Sequence, residues 1–175
     1  HKPGVPSQYV TGDEKHLLRW VTIPHFLVLI CDVVIIVAAV QVWVLIKQSL
    51  PPADETVRAT GMQWTWVFQH PGPDGQLDTA DDIRESDVMH VQVGRTYHVL
   101  LESKDVLHSF SVPVFRLKQD VVPGRTIRAW FKATKTGRHD IQCAEICGIG
   151  HGVMAGTIMI ESPEEHAKWV GEQGA

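Results

Sequence analysis

Apolar positions are spread along this chain in two different ways. From 24 to 46, 23 residues are interrupted by only three polar ones, His25, Asp32 and Gln41. As a helix rising about 1.5 Å per residue the stretch covers roughly 34 Å, enough to cross a bilayer. It is too long for a signal-peptide core, and Ala38-Ala39-Val40 runs on into Gln41-Val42-Trp43 without a cleavage pattern, so the segment reads as a retained transmembrane helix. Trp20 and Trp43 lie near its ends, where amphipathic rings favour the headgroup layer. Lys2, Lys15 and Arg19 precede it, and Lys47 and Arg58 are the nearest bases after it. This weak bias predicts a cytoplasmic segment over 1–23 and places the rest of the chain beyond the helix on the extracytoplasmic side, a single pass through a bacterial-type inner membrane. Asp32 is costly in hydrocarbon and stands seven residues from His25, on nearly the same helix face. That face calls for a neighbouring helix, either for a hydrogen bond between subunits or for a proton or quinol path.

Beyond 46 the pattern changes to period two. Leu50-Pro51-Pro52-Ala53-Asp54-Glu55 is a stiff polar exit, giving a linker over 47–59. Thr60 to Phe68 is rich in Trp and Phe and reads as strand. Met89, Val91 and Val93 alternate with His90 and Gln92, and Ile127, Ala129 and Phe131 alternate with Arg128 and Trp130. Punctuated by Gly94-Arg95, Pro123-Gly124 and Thr136-Gly137, this alternation predicts an antiparallel sandwich or barrel over 60–170. Ser162-Pro163-Glu164-Glu165 is a helix start, with Ser as N-cap and Glu at the third position, and predicts a short helix over 164–170.

Composition narrows the function classes. At 175 residues there is room for one domain and something smaller, not for a large enzyme. A net charge of −4 argues against nucleic acid, whose phosphates need a basic face. Three cysteines are too few for a disulfide scaffold, whereas ten histidines and six tryptophans are more than packing requires.

The densest chemistry is Cys143-Ala-Glu145-Ile-Cys147-Gly-Ile-Gly-His151-Gly-Val-Met154. Soft sulfur with imidazole selects copper or zinc over magnesium or calcium. The glycines at 148, 150 and 152 let the backbone bend so that ligands three and four apart converge. A site for one copper needs a single Cys, two His and an axial Met, so two cysteines over-supply it with thiolate. Two coppers bridged by both sulfurs use the whole set if a second histidine arrives, and His108 in Asp105-Val-Leu-His108-Ser-Phe supplies one. His70, His90, His98 and His139 compete for that place. Two other readings stand beside copper: a Cys143–Cys147 disulfide, expected of any cysteine pair outside the cytoplasm, and zinc, which would leave the Met154 thioether unused.

The run from Cys143 to Met154, His108 in Asp-Val-Leu-His-Ser, Leu117-Lys118-Gln-Asp120-Val-Val-Pro123-Gly124-Arg125, and Gly61-Met-Gln63-Trp64-Thr-Trp66 together resemble subunit II of the haem-copper oxidases, over roughly residues 20–170. The resemblance implies a mainly β fold, a cupredoxin-like Greek-key β-sandwich behind one N-terminal transmembrane helix, carrying a binuclear copper centre, CuA. Cys143 and Cys147 then look like the bridging thiolates, His108 and His151 like the terminal imidazoles, and Met154 like an axial ligand opposite the Glu145 carbonyl. The Glu145 side chain resembles the ligand of a magnesium or manganese ion at the boundary with subunit I. Trp64 resembles the tryptophan through which electrons arrive from cytochrome c; the competing reading is a core strand tryptophan. The implied activity is that of a cytochrome c oxidase subunit, relaying electrons to the haem of subunit I, where oxygen is reduced to water.

An acidic loop follows Trp64: Asp74, Asp78, Asp81, Asp82, Glu85 and Asp87 against Arg84 alone, a local charge of −6 + 1 = −5. It is expected to steer a basic cytochrome c, with calcium at 74–82 or a merely solvated loop as the other readings. The sequence also departs from the common family pattern: it shows one membrane helix where two are usual, Leu17 where a glutamate often opens a proton path, and Phe110 where a tryptophan is usual. One-helix versions also occur in relatives that reduce nitric oxide, so a CuA subunit of a haem-copper nitric oxide reductase is the alternative, and a free-standing anchored copper carrier a third reading.

Overall fold

The computed structural model describes residues 3–7, 9 and 11–173, so that Lys2, one of the bases ahead of the apolar run, lies outside the described residues. The chain divides into two units, one up to Leu50 and one from Pro51 on. The first holds helix α1, Arg19–Trp43, extended by a single π-helical turn, Val44–Gln48. No residue of α1 is buried, and the 30 residues Arg19–Gln48 are long and apolar enough to cross a membrane. The helix begins five residues ahead of the apolar run at 24. Pro24 falls in its second turn, where the missing N–H costs one bond, and Thr22 Oγ1 donates back to Leu18 O at 3.0 Å.

The second unit is built from ten strands: β1 Glu55–Met62, β2 Thr65–His70, β3 Ile83–Ser86, β4 Val88–Gln92, β5 Thr96–Ser103, β6 His108–Val112, β7 Leu117–Val121, β8 Ile127–Lys132, β9 Gly137–Cys143 and β10 Ala155–Glu161. They form two five-stranded sheets, β3-β2-β1-β5-β8 and β4-β10-β9-β6-β7. Trp66 and Phe68 from the first sheet meet Phe110 from the second edge to face, with ring centroids 5.5 and 6.4 Å apart, in a core that also holds Val57, Met89, Tyr97, Leu101, Ile141 and Ile158. This is the mainly β sandwich that the alternation and the resemblance led us to expect.

Three features differ from the sequence reading. The sheets are mixed rather than antiparallel: β1 runs parallel to β5, and β4 parallel to β10. In both cases other strands intervene in the chain, and such a crossover returns a strand in the same direction. The stretch 60–68 is two strands, not one, because the chain turns at Gln63-Trp64. The polar exit is already structured: Asp54 exchanges hydrogen bonds with Thr96, Glu55 pairs with Arg95 at 2.9 Å, and β1 therefore starts at Glu55 inside the expected linker.

The closing helix α2, Pro163–Gln173, has the reciprocal cap its sequence predicts. Glu165 N donates to Ser162 Oγ at 3.3 Å and Ser162 N to Glu165 Oε2 at 2.9 Å. Its buried side chains, His166 and Trp169, face the sandwich.

Strands β2 and β10 both run from one end of the sandwich to the other. At about 3.3 Å per residue, the seven residues of β10 separate Ala155 from Glu161 by roughly 20 Å. The loop 143–154 lies at the Ala155 end, and α2 follows from the Glu161 end.

Candidate metal centre

His108 opens β6 and Cys143 closes β9, two neighbouring strands paired at Phe110 and Cys143, so the sheet itself brings the first imidazole to the first sulfur. The loop after Cys143 is fixed at its start by Ala144 N donating to Ser109 O (2.9 Å) and at its end by Cys143 N donating to Met154 O (3.1 Å). It folds back over the sheet end and returns Cys147, His151 and Met154 to the same point.

The sulfurs of Cys143 and Cys147 are 3.7 Å apart. A disulfide needs about 2.05 Å, and both thiols are free. His108 Nδ1 lies 3.9 Å from Cys143 Sγ, and His151 Nδ1 lies 3.7 Å from Cys147 Sγ. Met154 Sδ is 3.8 Å from Cys147 Sγ, and the Glu145 carbonyl is 3.3 Å from Cys143 Sγ. His108, Cys143 and Cys147 are all buried, with donor atoms within 4.8 Å of one another. A tetrahedral zinc ion takes four ligands, and this set offers six donors: three sulfurs, two imidazole nitrogens and one carbonyl oxygen. Burial, followed by the neighbouring Cys143, pushes the Cys147 thiol up to about 11 in the metal-free protein. A metal cation reverses that preference by holding the thiolate.

Residues without a ligand's chemistry hold this arrangement. Asp105 Oδ1 lies 2.8 Å from His108 Nε2, so it accepts that N–H and leaves the Nδ1 lone pair turned toward Cys143. Its other oxygen accepts from Gln63 N at 2.7 Å, and Val106 N also donates to the carboxylate, at 2.6 Å. Burial opposes ionisation of Asp105, but these three donors outweigh it and hold the carboxyl below its usual range. At Gly61 a Cβ would stand 3.0 Å from the His108 ring, so a larger residue there would have to push that ring aside by a few tenths of an ångström.

Trp64 stands in the β1–β2 turn, 38% exposed, while Trp66 is the fully buried core tryptophan. The Trp64 indole N–H donates to Cys147 O at 3.3 Å, and Gln63 Nε2 donates to the same oxygen at 2.7 Å. A Cβ on Gly150 would collide with the indole, so the ring lies flat against the loop. Around it Ile146, Ile149 and Val153 point outward, Ile149 being 97% exposed, an apolar rim to which the sequence reading gave no role.

The remaining candidates fall elsewhere. The Glu145 side chain is half-buried. His98 bonds Pro51 O at 2.9 Å, and His70 and His90 belong to the opposite end. The acidic loop is carried away from Trp64 by β2, four residues or roughly 13 Å from Thr65 to Gln69. Its carboxylates engage protein donors: Asp78 takes a two-pronged bond from Arg58 at 2.6 and 2.9 Å, Asp82 accepts from Gln69 and Asp78 N, and Asp81 from Thr79. Only Asp87 returns to the hairpin, accepting from Trp66 N and Thr65 Oγ1, both at 2.8 Å.

A two-sheet sandwich with a Cys-Cys-His-Met loop closing on a histidine from a neighbouring strand defines the class: a cupredoxin-like β-sandwich with a candidate metal site. The family described as cytochrome c oxidase subunit II, periplasmic domain, matches residues 55–162, and the chain belongs to it. The alternative cytochrome c oxidase subunit 2 of Bradyrhizobium diazoefficiens is 36% identical over 145 residues, 70% of this chain and 52% of that protein. Cytochrome c oxidase subunit 2 of Cereibacter sphaeroides is 34% identical over 154 residues, 71% of this chain and 51% of that protein. The chain thus spans about half the length of these relatives. The crystal structure of the periplasmic domain of subunit II of cytochrome oxidase from Bradyrhizobium japonicum superposes with a TM-score of 0.63 at 33% identity, covering 71% of this chain and 99% of that one.

Proposed function

We propose that the chain is the electron-accepting subunit of a membrane terminal oxidase, holding a binuclear copper centre, CuA, between cytochrome c and the haem of subunit I. The observation that carries this reading is the pair of unlinked sulfurs 3.7 Å apart, with one imidazole nitrogen 3.9 Å from Cys143 Sγ and another 3.7 Å from Cys147 Sγ. Cys143 and Cys147 would bridge, His108 and His151 would terminate, and Met154 and the Glu145 carbonyl would complete the two ends. When bound, copper supplies one-electron uptake and release with little change in bond length, because the charge is shared across both sulfurs.

The protein's own contribution is positional. Asp105 fixes the His108 tautomer and ring plane, and its bond to Gln63 N ties that histidine to the turn bearing Trp64. Trp64 joins the solvent-facing rim to the Cys147 backbone through its N–H. The buried Met154 and Phe110 exclude water from the inner side. Docking of a donor falls to the apolar rim of Ile146, Ile149 and Val153 around Trp64, with charge in the distant acidic loop acting through longer-range attraction. The carboxylate of Glu145 is available to a magnesium or manganese ion shared with subunit I, and α1 anchors the sandwich on the extracytoplasmic side.

The test is elemental analysis and electron paramagnetic resonance of the full chain purified with its membrane partners, together with oxygen uptake driven by reduced cytochrome c. Two coppers per chain beyond the copper held by subunit I, a mixed-valence signal and oxygen consumption are expected. One metal ion per chain, or a Cys143–Cys147 crosslink in the active complex, overturns the reading.

A further inference from the structure

Gln63 and Trp64 form the whole of the turn between β1 and β2, joining Met62 to Thr65, which face each other in register. Both side chains reach one oxygen. Gln63 Nε2 donates to Cys147 O at 2.7 Å, and Trp64 Nε1 donates to the same atom at 3.3 Å. A carbonyl accepts and cannot donate, so the Gln63 amide presents its NH2 group here and not its own oxygen. The two bonds are unequal. The amide bond is at the short end for N–H···O, whereas the indole bond lies beyond the usual limit of roughly 3.2 Å. Gln63 is therefore the anchor, and the indole rests on what it holds.

The main chain of Gln63 is engaged separately. Its N–H donates to Asp105 Oδ2 at 2.7 Å, and Asp105 Oδ1 holds His108. One residue thus ties both parts of the metal centre to the turn, by its backbone toward His108 and by its side chain toward Cys147. Replacing the side chain removes the second tie and keeps the first. Space for the amide comes from Gly148, directly after Cys147. Its φ of +121° is one that L side chains rarely adopt, and a Cβ there would stand 2.8 Å from Gln63 Nε2 and 3.3 Å from the Trp64 ring. Exposed side chains change rotamer within nanoseconds unless something holds them. Trp64 is partly exposed, and its hold is the carbonyl that Gln63 fixes.

We propose that Gln63 is a positioning residue for electron entry: its amide pins the Cys147 carbonyl to the β1–β2 turn and so seats the Trp64 indole on the loop that carries the sulfurs. The proposal deepens the reading of Trp64 as the point of arrival and rests on it. An indole that leaves Cys147 widens the gap between the rim and the metal centre, and transfer slows.

The experiment has two arms. The first uses the metal-free full chain in detergent, labelled at the indole nitrogens and followed by nuclear magnetic resonance. Among six tryptophans, the Trp64 signal is the one missing in Trp64→Phe. Gln63→Met removes the donor at similar length, and Gln63→Glu sets an acceptor oxygen against the carbonyl. Solvent exchange of the Trp64 N–H is expected to rise about threefold to tenfold in Gln63→Met, the loss of one hydrogen bond, and further in Gln63→Glu. The N–H of the buried Trp66 should stay as in the wild type. In the second arm, the copper-loaded chain with its membrane partners should keep its copper count and mixed-valence signal in both variants. It should accept electrons from cytochrome c several-fold more slowly, yet be reduced at the wild-type rate by dithionite, which needs no docking on Trp64. Wild-type indole exchange in both variants overturns the seat, whatever metal is bound. Loosened exchange with wild-type reduction by cytochrome c overturns the role in entry. A wild type without the copper pair fails the functional reading and the role in entry with it, while the first arm still decides the seat.

Discussion

Each end of this sandwich buries histidines, and the use made of the second ring nitrogen divides their chemistry. At the sulfur end His108 gives Nε2–H to Asp105 and turns a free Nδ1 toward Cys143. At the α2 end His90 has Nδ1 2.7 Å from Glu161 and Nε2 3.2 Å from Glu85, so carboxylates and not sulfurs face its ring. Two clusters rich in the same residue type thus differ in their surroundings, sulfur at one end and carboxylate at the other. Counting histidines cannot separate them; following what each nitrogen faces does.

The largest expected effect comes from breaking the sulfur end. Cys147→Ser replaces a thiol proposed to bridge two coppers by a hydroxyl that stays protonated at neutral pH. The chain should lose the mixed-valence resonance and bind fewer than two coppers, read by elemental analysis, while the far cluster and α2 keep their exchange protection. A mixed-valence signal surviving that replacement would remove Cys147 from the bridge.

Next in size is the residue that makes the two ends differ. Asp105→Asn keeps one acceptor oxygen but cannot serve His108, Gln63 and Val106 together. Losing an outer partner of a ligating histidine typically costs about 10–100-fold in metal affinity. Copper competition titration should show a drop of that order with the sulfur ligands intact; unchanged affinity would mean that the sheet alone orients His108.

How much of this the sequence disclosed depends on spacing. Cys143, Cys147, His151 and Met154 lie within one glycine-punctuated loop, so their convergence was legible, and the resemblance pointed to His108. Asp105 was not given a role, since its partner Gln63 lies 42 residues away, and neither was the Gln63–Cys147 bond, which spans 84. The α2 end carries no motif: His70, His90 and His166 come from β2, β4 and α2, and only the fold makes them neighbours. Alternation likewise showed which residues point inward without naming each strand's partner, so the parallel pairs β1–β5 and β4–β10 were missed. Period two also placed Trp64 and Trp66 on one strand, and the turn at 63–64 sends one to the rim and the other to the core.

Within the α2 end itself the contrast can be sharpened at His70. This residue is held at about 3 by burial, below its unfolded value near 6.5. The folded state therefore binds fewer protons, and the stabilisation is complete above about 6.5 and is lost as the pH falls toward about 3. The slope of unfolding free energy through that window should reach at most about 1.4 kcal/mol per pH unit from this residue. His70→Gln, measured by urea unfolding of the full chain, should be less stable at neutral pH, by about 1–3 kcal/mol for the disturbed buried site, yet show a shallower acid limb. An acid limb as steep as the wild type's would place the proton uptake elsewhere.

The smallest effect is expected on the outer face of α2. Lys168 and Glu172 are one turn apart, with N···O at 3.6 Å and side chains 76% and 62% exposed. Such pairs are screened by solvent and spend side-chain entropy, so Lys168→Ala should change stability by less than about 0.5 kcal/mol. Alanine's helix propensity offsets part of even that. His90 lies half-buried between Glu85 and Glu161 beneath the same helix, whereas Lys168 stands in solvent. If Lys168→Ala loosened α2 as much as His90→Gln, measured by hydrogen exchange at the same pH, the helix would be held by its general electrostatic surroundings. Burial of the donor, and not the count of charges, is what separates the two cases.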